Sequence, residues 1–286
     1  MPQRFKKVLS LIISNDQNGY IGLNIRQIQD IIDYSEHFNI EGAILFLDFS
    51  KAFDSIEWEF MFSLERFGFQ ESILSWIKTL YTNIKGCTCI SNNGCISEPY
   101  TIERGIRQEC PLSALIFITA IEILANRIRN EKQVRGFEIK LNGSNHSIKI
   151  SQLADDITFF LKSKNEISIA LYIIEIFGNV LGLKLNRSKT EGIWLGRLKH
   201  CKEKFENITW TKDMAKCLWV HFGHDISKCQ QSNIEKQLQK TKDIINNWNK
   251  RNLSILGKIT VVKSLLLPNI TYIASVCTIP KEYPKV

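Results

Sequence analysis

The sequence lacks the features of a secreted or membrane-spanning chain. No segment has the composition of a secretory signal peptide. The apolar stretch at 111–125 is too short to cross a bilayer and is interrupted by Ser113, Thr119 and Glu122, so it predicts a core helix. No low-complexity linker or internal repeat divides the 286 residues, which predicts one composite unit or two subdomains. We therefore expect an intracellular protein with no membrane partner.

Cysteine spacing argues against a zinc site and against a disulfide framework. The chain has eight cysteines, but they show none of the paired spacings of either kind of site. Cys87 and Cys89 lie two residues apart on one face of a predicted strand, while Cys201, Cys217 and Cys229 are widely dispersed. We therefore expect free thiols, which fit a reducing intracellular compartment.

The sequence is instead basic and rich in apolar residues. Its formal net charge is +8, its pI is near 9.0, and 44% of its residues are hydrophobic. This apolar content is enough for a sizeable core, and the charge suits a polyanionic partner. Lysine and arginine become denser from Arg187 to Lys263, although a scattered solvated surface would give the same charge balance.

Three aspartates lie at the ends of apolar segments. Asp48 follows the almost wholly apolar run that begins at Ala43, which predicts a strand buried on both faces. Asp155 and Asp156 lie at the turn of a predicted hairpin with arms at 148–154 and 157–161. If the two elements are neighbours, three carboxylates meet at one sheet edge and offer the hard oxygens that Mg²⁺ prefers. A solvated turn and a simple strand cap are the alternatives.

Helical periodicity and turn residues outline the remaining elements. We predict helices at 4–14, 24–39, 57–67, 71–83 and 165–181. Gly68 separates the middle pair, Gly182 ends the last helix, and residues 92–94 form a hairpin turn. These elements predict an α+β fold with helices packed on one face of a largely antiparallel sheet.

Four segments, in this order, carry a family resemblance: FLDFSKAFD, ERGIRQECPLSALIF, QLADD and GLKLNRSKTE. From about Asp16 to the C-terminus the chain resembles the reverse transcriptases of non-LTR retrotransposons. The resemblance implies an α+β right-hand polymerase fold with an antiparallel ferredoxin-like palm sheet backed by helices, partial fingers and a helical thumb. It also implies an RNA-directed DNA polymerase that joins dNTPs to a DNA primer on an RNA template.

The same resemblance assigns catalytic roles. Two Mg²⁺ ions would be held by Asp48, Asp155, Asp156 and the backbone carbonyl of Phe49. Lys189 would protonate the leaving pyrophosphate or offset the triphosphate charge, although a solvated surface lysine is an equal alternative.

Nucleotide-binding roles fall on two further segments. Phe53 would lie beneath the sugar of the incoming nucleotide and leave no space for a 2′-hydroxyl, with a plain core position as its alternative. Gly105 would permit close backbone approach, and Arg107 and Gln108 would contact the nucleotide and the template strand. Asp54 would have a positioning role.

The C-terminal part resembles a primer-grip hairpin, KCLWVHFGHD, followed by a helical thumb. The thumb residues expected to bind nucleic acid through phosphate contacts are Lys236, Lys240, Arg251 and Lys258. A helix with a solvated basic face is the alternative. His221 and His224 have no acidic or cysteine partner at ligand spacing in the sequence, so ordinary polar roles are expected.

The resemblance divides the chain into four parts. These are partial fingers at 1–42, a palm with embedded connecting elements at 43–200, a primer-grip-like hairpin region at 201–229 and an incomplete thumb at 230–286.

Several positions depart from the family pattern. Glu109 stands where a glycine is usual, Ala114 replaces a usual proline, and Trp219 replaces a glycine, where it is expected to push on the hairpin. Finger residues are missing between Tyr20 and Ile21. We expect a truncated, partly degenerate copy, without the upstream endonuclease.

Three functions follow from these observations. The favoured one is two-metal nucleotidyl transfer by an RNA-directed DNA polymerase. The second is a catalytically impaired remnant that only binds nucleic acid. The third, a palm-fold nucleotide cyclase, would leave the GIRQ segment and the basic thumb without a purpose. Primer extension separates the first two, and incubation with nucleotide alone tests the third.

Overall fold

A computed structural model describes residues 13–14, 16–17, 20–64, 69–89, 96–141, 143–201 and 203–277. Its helices are α1 (Ile21–Phe38), α2 (Ala52–Ser55), α3 (Trp58–Phe62), α4 (Glu71–Tyr81), α5 (Pro111–Asn130), α6 (Lys164–Leu181), α7 (Ile226–Asn249), α8 (Ile255–Val261) and α9 (Leu267–Val276). A 3₁₀ helix (Gly196–His200) and a π-helical turn (Val262–Leu266) complete the helical elements described.

The strands described are β1 (Gly42–Leu47), β2 (Phe49–Ser50), β3 (Lys85–Gly86), β4 (Tyr100–Thr101), β5 (Phe137–Leu141), β6 (Ser144–Ile148), β7 (Ile150–Leu153), β8 (Asp156–Leu161), β9 (Lys184–Leu185), β10 (Glu191–Leu195), β11 (Thr209–Thr211), β12 (Ala215–Cys217) and β13 (Val220–Phe222). The predicted hairpin turn at 92–94, the helix break at Gly68 and residues 4–12 of the first predicted helix lie outside the described residues.

Five strands form the central sheet in the order β11-β10-β1-β8-β7. All neighbours are antiparallel except β10 and β11, which run parallel at one edge. The register pairs Leu47 with Ile157 and Leu153 with Asp156. The end of β1, which Asp48 follows, therefore lies beside the start of β8 and the β7–β8 turn.

Strand β1 is buried on both faces because alternate residues enter different cores. Ala43, Leu45 and Leu47 pack in the core that contains α5 and α6. Ile44 and Phe46 pack in a second core with α1. The prediction of helices on one face is therefore wrong, since an all-apolar strand needs cover on both sides.

Helix α5 is longer than predicted, because its apolar stripe continues past residue 125. By length and composition it passes as a membrane span, but 67% of its apolar window is buried inside the protein. Glu122 within it is 1% exposed and accepts a hydrogen bond from Arg129. The Arg129 guanidinium also lies 3.0 Å from the carboxylate of Asp16. The helix therefore has the core position that the sequence predicts.

A second helix of this length differs sharply in burial. Residues Ile255–Val276 form a 22-residue helix that includes the π-helical turn, and only 6% of its apolar window is buried. Its exposed apolar side chains include Ile255 and Leu256, whereas Ile273 is buried. Length and composition pass the test for a membrane span here too.

Free thiols are found where the sequence predicts them. Among the described cysteines, Cys201, Cys217 and Cys229 are free, and the last two are buried.

Candidate active site

Three carboxylates share one open cleft at the end of the central sheet. Asp48 follows β1, Asp155 lies in the β7–β8 turn, and Asp156 begins β8. All three line a cleft of about 390 Å³. The fold thus brings together the three aspartates that the sequence singles out.

The carboxylates interact electrostatically. Burial and, after it, the negative charges of Asp155 and Asp48 together raise the pKa of Asp156 to about 6. Asp156 is nevertheless exposed to solvent, so an ion can approach it. A cation would relieve the repulsion that raises this pKa.

The donor chemistry of the cleft fits a hard divalent cation. Mg²⁺ prefers carboxylate and carbonyl oxygens, which Asp48, Phe49, Asp155 and Asp156 supply. In the described part of the chain, no three acidic, cysteine or histidine side chains are already arranged as a metal site. Mutual repulsion gives a physical reason for carboxylates to stand apart until a cation joins them.

The loop after β9 fixes the position of Asp48. The Asn186 N–H donates to the Asp48 carbonyl at 2.7 Å, and the Asp48 N–H donates to the Thr190 hydroxyl at 3.3 Å. Thr190 is fully buried, and its hydroxyl donates to the Asn186 carbonyl at 2.9 Å. Lys189 belongs to the same loop and lines the carboxylate cleft. Sequence reasoning selected Lys189 but missed Thr190, because a threonine after a polar turn is too common to give a signal.

The GIRQ segment packs on the chain that follows Asp48. The Gly105 N–H donates to the Ile56 carbonyl at 2.8 Å, and the Gln108 amide donates to the Asp54 carboxylate at 3.2 Å. A Cβ on Gly105, whose φ is +89°, would lie 2.8 Å from the Asp54 carbonyl oxygen. The lack of a side chain at Gly105 therefore allows close contact with the protein's own backbone at Asp54. Arg107 is exposed.

Phe53 is both part of the core and close to the site. Its ring stacks on Phe117 with centroids 4.6 Å apart and an interplanar angle of 12°. It is half-buried and packs against the core that contains α5. The core therefore fixes the ring in one orientation, just after the Asp48 segment.

A hairpin formed by β12 and β13 borders the same cleft. Lys216, Leu218 and Trp219 line the cleft together with the carboxylates, and of these three the sequence analysis singles out only Trp219. Leu218 and Trp219 have φ angles of +50° and +64°, so both turn residues are left-handed. Trp219 is 76% exposed, so its ring does not press into the hairpin as expected. The unfavourable feature of this residue is its left-handed backbone.

Glu109 has a left-handed backbone as well. Its φ is +60° and its side chain is exposed. Glycine adopts this conformation without steric cost, which gives a conformational reason for the usual glycine at this position.

The basic residues predicted to bind nucleic acid are all exposed, on α7, just after it and on α8. Lys236 and Lys240 lie one turn apart on α7, and the Lys236 ammonium is 3.0 Å from His221 Nε2 on β13. Arg251 follows α7, with its guanidinium 4.7 Å from the Trp248 ring centre. Lys258 lies in α8 and is exposed.

The two histidines make polar contacts with distant elements, which their spacing in the sequence does not indicate. His221 Nδ1 lies 2.8 Å from Asn233 Oδ1 on α7, which suits a neutral ring with its proton on Nδ1. His224 Nδ1 lies 2.7 Å from the Glu36 carboxylate of α1, at hydrogen-bond distance but without good alignment. These contacts join the hairpin region to α7 and α1.

The chain matches a known protein family over most of its length. The family model described as "Reverse transcriptase (RNA-dependent DNA polymerase)" matches residues 3–242. A relative in Xenopus laevis, the "Transposon TX1 uncharacterized 149 kDa protein", is 25% identical over 289 residues, which cover 98% of this chain and 22% of the relative.

A second relative and a solved structure agree with this match. The "Retrovirus-related Pol polyprotein from type-2 retrotransposable element R2DM" of Drosophila melanogaster is 27% identical over 164 residues, which cover 57% of this chain and 15% of the relative. Telomerase from Candida albicans, solved with a fragment of telomeric RNA, has a TM-score of 0.52 at 12% identity, over 78% of this chain and 35% of that chain. The chain thus spans less than a quarter of either relative and shares a fold with part of telomerase.

Proposed function

Since the chain belongs to the reverse transcriptase (RNA-dependent DNA polymerase) family, we propose that it catalyses RNA-directed DNA synthesis as part of a non-LTR retrotransposon protein. In this reaction the 3′-hydroxyl of a DNA primer attacks the α-phosphate of a dNTP and releases pyrophosphate. The observation that carries the proposal is the meeting of Asp48, Asp155 and Asp156 in one cleft.

Reverse transcriptases generally use divalent metal ions. In this chain the residues that would hold two Mg²⁺ ions are Asp48, Asp155, Asp156 and the backbone carbonyl of Phe49. When bound, the ions supply positive charge that activates the attacking hydroxyl and stabilises the departing pyrophosphate. The raised pKa of Asp156, due first to burial and then to its two acidic neighbours, supports a cation-binding role.

The remaining site residues bind and orient the nucleotide. Lys189 lines the cleft and donates a proton to the pyrophosphate, or offsets the triphosphate charge. Phe53, held flat on Phe117, excludes a 2′-hydroxyl from the nucleotide sugar. Arg107 and Gln108 contact the nucleotide and the template, while Gly105 lets their segment pack closely on Asp54.

The basic helices would hold the duplex. Lys236, Lys240, Arg251 and Lys258 contact backbone phosphates of the RNA template and DNA primer without reading sequence. This assignment retains the division into fingers at 1–42, palm at 43–200, hairpin region at 201–229 and thumb at 230–286.

Primer extension on an RNA template with Mg²⁺ and dNTPs tests the proposal. Asp48→Asn and Asp156→Asn should each reduce the extension rate by about a hundredfold or more, because several kcal/mol of charge stabilisation depend on the metal site. Asp30→Asn is the matched control, since Asp30 is an exposed carboxylate on α1 that pairs with Arg26. Extension that survives both active-site substitutions would contradict the proposal.

A catalytically impaired remnant is the second candidate. It is favoured by Glu109 and Trp219, which have left-handed backbones at positions where the family usually has glycine. Wild-type protein that binds an RNA–DNA hybrid but extends no primer would identify this case.

A further inference from the structure

A loop beside the carboxylate cleft interrupts the strand pairing at Asp48. Strand β1 pairs with β10 as far as Phe46, and β2 pairs with β9 from Phe49 onward. The residues between β9 and β10, 186–190, therefore lie opposite Leu47 and Asp48 alone. Because one side of the pair has this surplus of residues, the backbone cannot continue a regular ladder of hydrogen bonds at Asp48.

A threonine side chain takes the place of the missing backbone partner. The Asp48 N–H donates to the Thr190 hydroxyl oxygen at 3.3 Å. That hydroxyl donates its own proton to the Asn186 carbonyl at 2.9 Å, so its lone pairs are left for Asp48. Thr190 is 0% exposed, so water cannot replace the hydroxyl. One buried hydroxyl group thus holds the N–H side of the backbone that carries the Asp48 carboxylate.

The same loop carries Lys189, which lines the carboxylate cleft. The Lys189 N–H donates to the Asn186 carbonyl at 3.1 Å, and this carbonyl also accepts from the Thr190 hydroxyl. On the far side of the loop, the Thr209 N–H of β11 donates to the Thr190 carbonyl at 3.2 Å. Thr190 is therefore fixed from both sides, and Asp48 and Lys189 share it as a support.

We infer that Thr190 is a positioning residue of the active site, an inference that rests on the proposed function. Its hydroxyl fixes the Asp48 backbone, and with it the carboxylate, relative to Asp155, Asp156 and Lys189. Carboxylates that share a cation have to be placed to within about 0.5 Å, so loss of the hydroxyl weakens cation binding. Because Thr190 directly follows Lys189, the same loss displaces the ammonium that serves the triphosphate.

Substitutions of two buried threonines separate this role from a general loss of stability. Thr190→Val keeps the shape of the side chain and removes the hydroxyl, whereas Thr190→Ser keeps the hydroxyl. Thr119→Val is the matched control, because Thr119 is also buried and its hydroxyl donates to the Leu115 carbonyl within α5. Urea unfolding shows whether each variant is folded. If Thr190→Val does not fold, Thr190→Cys replaces it, since a thiol of similar size is only a weak acceptor.

The first measurement is cation binding in the absence of nucleic acid and nucleotide. Mn²⁺, which takes the same oxygen ligands as Mg²⁺, is titrated, and its free fraction is followed by electron paramagnetic resonance. Thr190→Val should raise the dissociation constant of Mn²⁺ about three- to tenfold, the range of one hydrogen bond. Thr190→Ser should stay within about twofold of the wild type, and Thr119→Val should not differ from it. Asp48→Asn should lose this Mn²⁺ site.

The second measurement is primer extension at saturating Mg²⁺, which tests the link to Lys189. Thr190→Val should lower the extension rate about tenfold when Lys189 is present, and Thr190→Ser should restore the rate. In a Lys189→Ala background the loss should be less than about threefold, because an ammonium that is absent cannot be displaced.

Three results would overturn the inference: unchanged Mn²⁺ affinity in folded Thr190→Val, an equal loss of affinity in Thr119→Val, or a Mn²⁺ site that survives Asp48→Asn. Equal rate losses with and without Lys189 would overturn its link to Thr190. A wild type that binds no Mn²⁺ without nucleic acid contradicts the inference whether or not it extends a primer.

These results differ from a failure of the proposed function. Mn²⁺ binding that depends on the Thr190 hydroxyl, in a wild type that extends no primer, contradicts polymerisation and supports the positioning role. Primer extension by the wild type, with unchanged Mn²⁺ affinity in Thr190→Val, supports polymerisation and contradicts the positioning role.

Discussion

Residues 105 and 109 show how a left-handed backbone is used in two ways before α5. Gly105, at φ +89°, lets the segment approach Asp54 more closely than any side chain would allow. Glu109, at φ +60°, adopts the same region with a full side chain. Glycine suits the left-handed backbone at position 105, whereas glutamate at position 109 adopts it at a steric cost.

Gly105→Ala should destabilise the protein by about 1–3 kcal/mol, because the new Cβ adds a clash with the Asp54 carbonyl to an unfavourable φ. Gly143→Ala is the matched control, since Gly143 has a φ of +80° but nothing within 4 Å of its Cβ position. Urea unfolding of both variants separates the cost of the clash with Asp54 from the cost of a positive φ for alanine. Equal losses would show that the contact with Asp54 costs nothing.

Glu109→Gly should increase both stability and primer extension. The left-handed region costs a non-glycine residue about 1–2 kcal/mol, part of which glycine's greater freedom in the unfolded chain offsets. We therefore expect a gain of about 0.5–1 kcal/mol. In the extension assay, removal of a carboxylate near the triphosphate or template should give about a tenfold gain, since like charges repel.

Glu109→Gln separates these effects because it removes the charge and keeps the side chain. It should raise extension without raising the free energy of unfolding. If Glu109→Gly leaves extension at zero while the RNA–DNA hybrid still binds, the defect lies elsewhere, and Glu109 is not its cause.

At the scale of elements, the sequence predicts well wherever a local pattern fixes the structure. The apolar run of β1, the β7–β8 turn at Asp155 and the end of α6 at Gly182 follow from local residue preferences. Cover on both sheet faces and the parallel edge strand β11 do not, because they depend on which distant elements pack together.

The residues of the candidate site likewise fall into those that the sequence predicts and those that only the fold reveals. The aspartates come from motifs that can be recognised along the chain, and Lys189 comes with them. Thr190 supports Asp48 through a buried hydroxyl, and Asn233 supports His221 across the hairpin–helix junction. Such partners become visible only when the fold brings separate segments together.

The junction between β13 and α7 should weaken in acid. Burial lowers the pKa of His221, and the nearby charges of Lys236 and Lys216 lower it further, while Asn233 and Glu191 oppose the shift. The unfolded chain therefore binds the proton more readily, so stability is full above pH 6.5 and is lost as pH falls from 6.5 through the folded pKa.

His221→Asn keeps a hydrogen-bond donor near Asn233 but cannot titrate. Between pH 7.5 and 5.5 we expect the wild type to lose more unfolding free energy in urea than this variant does. Equal losses in the two proteins would show that His221 does not control the acid sensitivity.

At the scale of the whole molecule, the family expected from the four sequence motifs is confirmed by the match over residues 3–242. The right-hand polymerase fold is confirmed by the similarity to telomerase. Order and spacing along the entire chain made this recognition possible, since no single motif is specific.

The basic character of the chain, with a net charge of +8, predicts salt-sensitive binding of an RNA–DNA hybrid. The logarithm of the binding constant should fall linearly with the logarithm of salt concentration, with a slope of about −0.7 to −0.9 per phosphate contacted. Lys240→Ala and Lys258→Ala should each reduce the slope by about one contact. Lys132→Ala, which changes an exposed lysine in the turn after α5, is the control. A wild-type slope near zero would contradict the assigned phosphate contacts.

The hydrogen bond from Tyr272 to the Leu218 carbonyl links the last helix mechanically to the turn that carries Trp219. A rigid swing of that helix away from the palm has to break this bond or pull the turn with it. Clamping and release of a duplex would therefore change the shape of the cleft. The grip on the nucleic acid and the alignment of the primer end would then be adjusted in one movement.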